Sequence, residues 1–237
     1  MSVRVPSDRA PSEVGISPLQ RSAIIGDVDR VRVDLRQDLE PQLRSAVDAI
    51  RSARVVAFPT DTLYGLAANP HDASAVAAVF ALKSRGGNQP LPLVAADINQ
   101  VTNVADMHPV AMRIGRAFWP GPLTLLLRST ATFAAGVGSA DGLVGIRVPD
   151  SEIGRAFARS VGHLLTATSA NRTGDPPTAD PDTVASSLPG VAVLVDGGRC
   201  RGGLPSTIVD ASGEPRLVRE GAIPWSRVLE FLSTLRA

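Results

Sequence analysis

The feature that most constrains this chain is a short apolar run that ends at a proline and leads directly into a polar cluster. The β-branched run over residues 55–58 predicts a buried strand, and Pro59 ends it because proline has no backbone N–H to give to a sheet. Four polar side chains crowd into the following loop: Thr60, Asp61, Thr62 and Tyr64. Ligands in α/β sheets bind where strands end, so this cluster is a candidate site. Taken alone, the stretch is more typical of a capped turn in which Thr60 and Asp61 bond to nearby backbone.

The composition favours a layered α/β fold. Hydrophobic residues make up 44% of the 237 residues and aromatic residues only 4%, so the core must be built from Val, Leu, Ile and Ala. Residues 1–30 carry scattered Pro, Ser, Asp and Arg without a sustained period, which predicts a flexible N-terminal arm. No linker divides the remainder, and we expect residues 31–237 to form one domain.

The hydrophobic pattern predicts strands and helices that alternate along this domain. The predicted strands cover residues 31–35, 55–58, 91–95, 123–127, 143–148, 164–168, 191–196, 206–210 and 216–219. The predicted helices cover residues 39–53, a segment from the N-cap Asp72 to just before Gly86, residues 109–118 and 151–161, a short helix from Pro181, and residues 224–235. The pattern therefore indicates strands with helices packed against them.

Several function classes are excluded or weakly supported by the sequence. A net charge of +1 without long basic runs gives no broad footprint for nucleic acid, although a local basic pocket is compatible with it. The single cysteine, Cys200, excludes an internal disulfide framework, and no cluster has the spacing of zinc ligands. No phosphate-binding loop, serine-hydrolase elbow or zinc-protease motif occurs. The N-terminus lacks an apolar signal core and no apolar run could span a bilayer, so we expect a soluble cytoplasmic protein without membrane contact.

Polar groups interrupt the predicted elements at their ends. Beyond the first cluster these groups are Lys83 with Arg85, Arg147, Ser169 with Asn171, Ser206 with Thr207, and Arg219. At the end of a helix, Lys83 and Arg85 are adequately explained by the helix dipole. Arg147, inside an apolar strand, needs either an acidic partner or an anionic ligand, because an unpaired buried cation is very costly. If the four cations converge, they would form a pocket for a polyanion such as a nucleoside triphosphate.

Six segments in the same order resemble the successive motifs of the YrdC-like threonylcarbamoyl-AMP synthases. They are residues 59–66 (PTDTLYGL), 83–85 (KSR), 119–124 (WPGPLT), 145–149 (GIRVP), 169–171 (SAN) and 206–210 (STIVD). The likeness extends from about residue 39 to about residue 225. It implies a YrdC-like α/β fold, a twisted mixed sheet flanked by helices with a concave active-site face. It also implies the single-domain form of the family, without an extra C-terminal domain, and a catalytic domain over residues 31–237.

The resemblance implies a nucleotidyltransferase that converts L-threonine, bicarbonate or CO2, and ATP into threonylcarbamoyl-AMP and pyrophosphate. ATP is a substrate that brings Mg²⁺ with it, and no protein side chain is expected to hold the metal. The product would pass to the tRNA threonylcarbamoyltransferase machinery, which forms threonylcarbamoyladenosine in tRNA. Direct contact between this chain and tRNA is left open.

The resemblance also assigns residues to roles. The catalytic set implied by the motifs is Lys83, Arg85, Ser169 and Asn171. The implied ATP-binding set is Lys83, Ser169, Asn171 and Arg219. The implied threonine-binding set is Thr60, Arg147, Ala167 and Ser206, with Tyr64 and Thr62 as further candidates.

There are two alternatives to this enzyme, the first of which belongs to a different functional class. One is a YrdC-like module that binds structured RNA without making the adenylate, although the near-neutral charge argues against it. The other is a relative that handles a carbamoyl adenylate with a different substrate. Pyrophosphate release from ATP, measured with threonine and bicarbonate omitted in turn, discriminates among the three.

Overall fold

The computed structural model of the chain describes residues 28–84 and 89–234. Most of the predicted arm (residues 1–27) and the predicted site residue Arg85 lie outside this part of the chain. Residues 29 and 30, the last two of the predicted arm, form the beginning of the first strand.

The strands form two mixed sheets, and the predicted α/β class with helices flanking mixed sheets is confirmed. Sheet A contains β1 (Asp29–Arg32), β2 (Val56–Pro59), β3 (Tyr64–Ala67), β8 (Thr168–Ser169) and β9 (Val193–Asp196), in the order β1-β9-β2-β3-β8. Sheet B contains β4 (Leu93–Val94), β5 (Leu123–Arg128), β6 (Leu143–Arg147), β7 (Leu165–Thr166), β10 (Thr207–Asp210) and β11 (Arg216–Arg219), in the order β11-β10-β5-β6-β4-β7.

Eight helices lie in the described part of the chain. They are α1 (Leu39–Gln42), α2 (Arg44–Arg51), α3 (Ala73–Lys83), α4 (Ile98–Thr102), α5 (Pro109–Phe118), α6 (Glu152–Val161), α7 (Pro181–Ser187) and α8 (Trp225–Thr234). The predicted N-cap Asp72 accepts hydrogen bonds from the N–H groups of Ser74 and Ala75, which satisfies two donors at the start of α3. Helix α6 ends at Gly162, whose φ of 91° is a left-handed conformation that glycine adopts without steric cost. Among the described residues, none of these helices has the length and apolar character needed to span a bilayer.

Strand β2 is buried on both faces, as its continuous apolar sequence predicts. Ala57 belongs to the larger core, which also contains Leu66 of sheet A and Leu125 of sheet B. On its other face, Phe58 packs with residues of α1, α2 and α6, and its ring meets Phe157 edge-on at 5.8 Å between ring centroids. The candidate loop therefore follows a strand that is fixed from both sides.

Several predicted boundaries are wrong. The predicted helix over residues 39–53 is two helices, since the ψ of 0° at Leu43 departs from helical geometry. The predicted strand over residues 164–168 divides at Ala167 into β7 of sheet B and β8 of sheet A. Tyr64, which we expected to lie in the loop, begins β3, because residues 64–67 pair with β2 as a hairpin. Helix α4 was not predicted.

Candidate active site

A cleft of about 620 Å³ is lined by residues from both sheets, and its size suits a small-molecule ligand. Eight of the predicted site residues line it: Thr60, Thr62, Tyr64, Arg147, Ala167, Ser169, Ser206 and Arg219. Lys83 and Asn171 lie next to it, in contact with the Ser169 segment. Residues up to about 160 positions apart in the sequence thus meet around one space.

The loop between β2 and β3 is both a capped turn and a wall of the cleft. The Thr60 hydroxyl donates to the Leu63 carbonyl at 2.7 Å and accepts from the backbone N–H groups of Thr62 and Leu63 at 3.2 Å each. Gly202 donates its N–H to the Thr62 carbonyl at 2.9 Å from a separate loop. The two interpretations of this stretch are therefore compatible, because the hydrogen bonds that cap the turn also hold its threonines at the cleft.

Arg147, at the end of β6, forms the buried positive charge of the cleft. Its Nη2 donates to the Asp61 carboxylate, its Nε to the Gly121 carbonyl at 3.0 Å, and its Nη1 approaches the Thr62 hydroxyl at 3.4 Å. Burial lowers the pKa of Arg147 from its ordinary value, and the charge and hydrogen bond of Asp61 oppose that shift. From the sequence, either an acidic residue or an anionic ligand could balance the charge of Arg147. The structure shows the acidic residue Asp61 as its partner, and Arg147 also lines the cleft.

Lys83, the last residue of α3, reaches the segment that follows β8. Its ammonium donates to the Ser169 carbonyl at 2.6 Å, the Asn171 carbonyl at 2.8 Å and the Asn171 Oδ1 at 3.2 Å. The Ser169 hydroxyl donates to the same Oδ1 at 2.5 Å. The lysine and the Ser-x-Asn segment, predicted to act together, are therefore joined directly.

Arg219 and Ser206 also line the cleft, at the ends of the neighbouring strands β11 and β10. Arg219 donates from Nη2 to the Ser206 carbonyl at 2.8 Å, and partial desolvation lowers its pKa. Within the described ranges, no carboxylate forms an ion pair with Arg219. The Ser206 and Thr124 hydroxyls are 2.8 Å apart. This part of the cleft offers a cation and a pair of hydroxyls.

Tyr64 and Ala167 occupy the cleft in ways their side chains explain. The Tyr64 hydroxyl donates to the Gly198 carbonyl at 2.7 Å, so its polar end is already engaged, and burial raises its pKa. Ala167 is the single residue between β7 and β8, and its N–H donates to the Pro92 carbonyl at 2.8 Å. Its methyl group leaves room where a larger side chain would fill the cleft.

Sequence reasoning missed part of this cleft. Asp61 was noticed in the polar cluster but was not predicted to pair with Arg147, from which it is separated by 86 positions. Thr124 ends one of the family-like motifs, and that was the available signal. Several other lining residues, most of them apolar, had no sequence signal that they belong to the site. They are Pro90, Leu91, Pro92, Leu126, Leu143 and Ile208, together with the polar residues Ser139 and Asp141.

Neither a metal centre nor a reactive thiol is prominent in the described part of the chain. No group of three or more His, Cys, Asp or Glu side chains there could hold a metal ion. That Mg²⁺ arrives on ATP therefore stays a prediction. Burial raises the pKa of the Cys200 thiol to about 11, so it is protonated at neutral pH.

Comparisons with known proteins agree with this geometry. The family model for Sua5, YciO and YrdC proteins, described as "Telomere recombination", matches residues 48–221. The chain is 37% identical to the threonylcarbamoyl-AMP synthase of Sodalis glossinidius over 182 residues, which is 75% of this chain and 94% of that protein. It is 36% identical to the threonylcarbamoyl-AMP synthase of Bacillus subtilis over 203 residues, 83% of this chain and 59% of that protein.

A solved structure extends the comparison to a bound ligand. The Pyrococcus abyssi Sua5 structure complexed with L-threonine is 32% identical to this chain, with a TM-score of 0.79. The match covers 86% of this chain and 60% of that one. This chain therefore spans about three fifths of the length of the Pyrococcus and Bacillus relatives.

Proposed function

Since this chain belongs to the Sua5, YciO and YrdC family, we propose that it is a threonylcarbamoyl-AMP synthase. It would convert L-threonine, bicarbonate or CO2, and ATP into threonylcarbamoyl-AMP and pyrophosphate. The observation that carries the proposal is that one cleft is lined by the buried guanidinium of Arg147, by several hydroxyls and by Arg219, with Lys83 bonded to the Ser169 segment beside it. A relative sharing 32% identity over most of this chain binds L-threonine, which supports the amino-acid half.

The threonine subsite would be formed around Arg147. A guanidinium binds a carboxylate through two parallel hydrogen bonds, which fixes the orientation of the amino acid as well as holding it. Thr60, Ser206 and Ala167 line the same space and would contact the rest of threonine, with Thr62 and Tyr64 beside them. Small side chains and hydroxyls leave room for one small polar amino acid.

The nucleotide subsite would be formed by Lys83, Ser169, Asn171 and Arg219, with Arg85 assigned by motif match alone. Arg219 lines the cleft and forms no ion pair with a described carboxylate, so its guanidinium would be available to a phosphate. Ser169 and Arg219 both line the cleft. ATP would bring Mg²⁺ on its phosphates, consistent with the preference of that ion for phosphate oxygens and water.

The reaction needs no nucleophile from the protein. The threonine amine and bicarbonate first give a carbamate with loss of water. A carbamate oxygen then attacks the α-phosphorus, the bond from that phosphorus to the bridging oxygen breaks, and pyrophosphate leaves with the electron pair. The protein must hold two anions in line and stabilise charge on the phosphates, and both tasks suit preorganised cations and hydroxyls. The product would then supply the tRNA threonylcarbamoyltransferase machinery with an activated threonylcarbamoyl group.

The test is pyrophosphate release from ATP by the purified chain. We expect release that requires both L-threonine and bicarbonate, and Arg147→Ala should lower kcat/KM for threonine by about a hundredfold, as loss of a preorganised donor does. Arg216→Ala is the matched control, because this arginine lies on β11 outside the cleft.

Two outcomes would contradict the proposal. Release that ignores threonine would indicate a relative that uses a different substrate. No release, together with RNA binding that weakens steeply with salt, would indicate an RNA-binding module.

A further inference from the structure

Asp61 contacts the guanidinium of Arg147 but is not itself one of the residues that line the cleft. The side chain of Asp61 is 4% exposed and that of Arg147 is 10% exposed. Thr60 and Thr62, its neighbours on either side, line the cleft, whereas Asp61 does not. Asp61 therefore reaches the cleft only through the arginine that it contacts.

The contacts of Arg147 leave a defined part of the guanidinium for a ligand. An arginine has five N–H donors in a rigid plane. Asp61, Gly121 and Thr62 take one donor each from Nη2, Nε and Nη1. With respect to the described residues, one N–H on each terminal nitrogen remains, and two such donors can bind the two oxygens of one carboxylate.

The ion pair between Asp61 and Arg147 also sets the orientation of the guanidinium plane. Gly121 and Thr62 are neutral acceptors, so of the three contacts only the one with Asp61 joins two opposite charges. Without Asp61, the buried cation would lose its only carboxylate partner in the described chain and would be free to turn toward other oxygens in the cleft.

We propose that Asp61 is a positioning residue for substrate recognition, which fixes the guanidinium of Arg147 so that its two remaining donors meet the carboxylate of the amino acid. The inference rests on the proposed function, because it presumes that the ligand of Arg147 is the threonine carboxylate. It predicts that Asp61 affects the recognition of the threonine carboxylate and of no other ligand group.

A purely structural role would have a different signature. Asp61 belongs to the β2–β3 loop of sheet A and Arg147 to β6 of sheet B, so their pairing also ties the sheets together. Loss of this contact between the sheets would weaken the binding of every ligand in the cleft to a similar extent. The distinguishing measurement must therefore compare ligands that differ only in the carboxylate.

The experiment is calorimetric titration of the full chain with L-threonine and with L-threoninamide, in which a neutral amide replaces the carboxylate. For Asp61→Asn, we expect L-threonine to bind about tenfold more weakly, the size of effect that one misaligned charged hydrogen bond produces. The dissociation constants for L-threoninamide and ATP should change by less than about twofold. Asp210→Asn is the matched control, because Asp210 is a buried acid at a strand end that pairs with Arg216 outside the cleft.

Asp61→Glu provides a second variant should Asp61→Asn fail to fold. It keeps the charge but displaces the guanidinium by the length of one methylene, so it should show the same selective loss for L-threonine. Equal weakening of L-threonine and L-threoninamide, or no weakening of either, would overturn the inference while leaving the proposed function standing. Failure of the unsubstituted chain to bind L-threonine would overturn the proposed function, and this inference with it.

Discussion

Lys83 is the single lysine of the chain, and at 3% exposure it is buried against oxygen atoms. Its ammonium donates to oxygen atoms of Ser169 and Asn171, and so fastens the end of α3 to the segment after β8. A helix-dipole role alone would not require these contacts. We infer that Lys83 shapes the phosphate side of the cleft as well as contributing charge to it.

Replacement of this lysine should therefore affect both stability and nucleotide use. In Lys83→Met the stem is kept, but two partly buried carbonyls lose a charged donor, so the free energy of unfolding should fall by about 2 kcal/mol. The KM for ATP should rise more than the KM for threonine. Urea unfolding and steady-state kinetics check the two effects.

Arg216→Met is the control for this truncation, because the Arg216 side chain is 77% exposed and an ion pair of that kind contributes less than about 1 kcal/mol. Equal destabilisation by the two variants would contradict a buried fastening role for Lys83.

At the level of single residues, the sequence could predict which side chains carry chemistry but not which of them touch. Arg147 was recognisable because a charge stood in an apolar strand, and the need for a counter-ion followed from the cost of burying it. The identity of that counter-ion was not predictable, because Asp61 lies in another sheet and no local period relates the two positions. The contact exists only after long-range folding.

Among the elements, those with strong local signals were predicted and those made by pairing were not. The helix over residues 109–118 and the strand over residues 216–219 have the predicted bounds, because their patterns are local. Strand β3 and the division at Ala167 depend on which strand lies alongside, and intrinsic β preference does not specify that. This limited the prediction of the site, because Tyr64 of β3 and Ala167 both line the cleft.

His163 and His71 have contacts that the sequence did not indicate. The His163 ring nitrogen Nδ1 lies 2.7 Å from the Leu164 carbonyl, and its ring meets His71 at 5.9 Å between centroids. His71 in turn lies 2.9 Å from the Thr132 carbonyl through Nδ1.

This pair predicts a loss of stability in mild acid. Burial, the largest cause, lowers the pKa of His163, while the Leu164 contact raises it and the neighbouring His71 lowers it further. Protonation is then easier in the unfolded chain, so the stability is fully present above about pH 6.5 and declines as the pH falls toward the folded-state pKa. His163→Asn removes this proton linkage.

Thermal unfolding at about pH 7.5 and about pH 5.5 checks that expectation. The midpoint of His163→Asn should fall less between the two values than the midpoint of the unsubstituted chain. An identical fall in both proteins would show that His163 does not carry the effect.

On the scale of the whole molecule, the cleft is lined by residues from both sheets. Thr60, Thr62 and Ser169 come from sheet A or its loops, whereas Arg147, Ser206 and Arg219 come from sheet B or its ends. The resemblance predicted a concave face on a twisted mixed sheet, and the α/β class is confirmed. The division into two sheets was not predictable, because it depends on which strands pair, and the chain passes between the sheets at several places, Ala167 among them.

Ligands held by both sheets should stabilise the whole fold. At about a hundred times its dissociation constant, a ligand that binds only the folded chain adds about 2.7 kcal/mol. L-Threonine should therefore raise the thermal unfolding midpoint by several degrees, and ATP should raise it further. D-Threonine is the matched control, since it has the same charge and composition but the opposite hand at the α-carbon. Equal shifts from the two enantiomers would contradict a shaped amino-acid subsite.

The fastening of Lys83 has a practical consequence for spectroscopy. Because no other lysine occurs in the sequence, a sample labelled with nitrogen-15 only in its lysine side chain carries one ammonium resonance. That resonance originates where α3 meets the Ser169–Asn171 segment, so its exchange rate and chemical shift would report nucleotide arrival at that point. The chain thus contains its own single-site reporter, readable without assigning the rest of the spectrum.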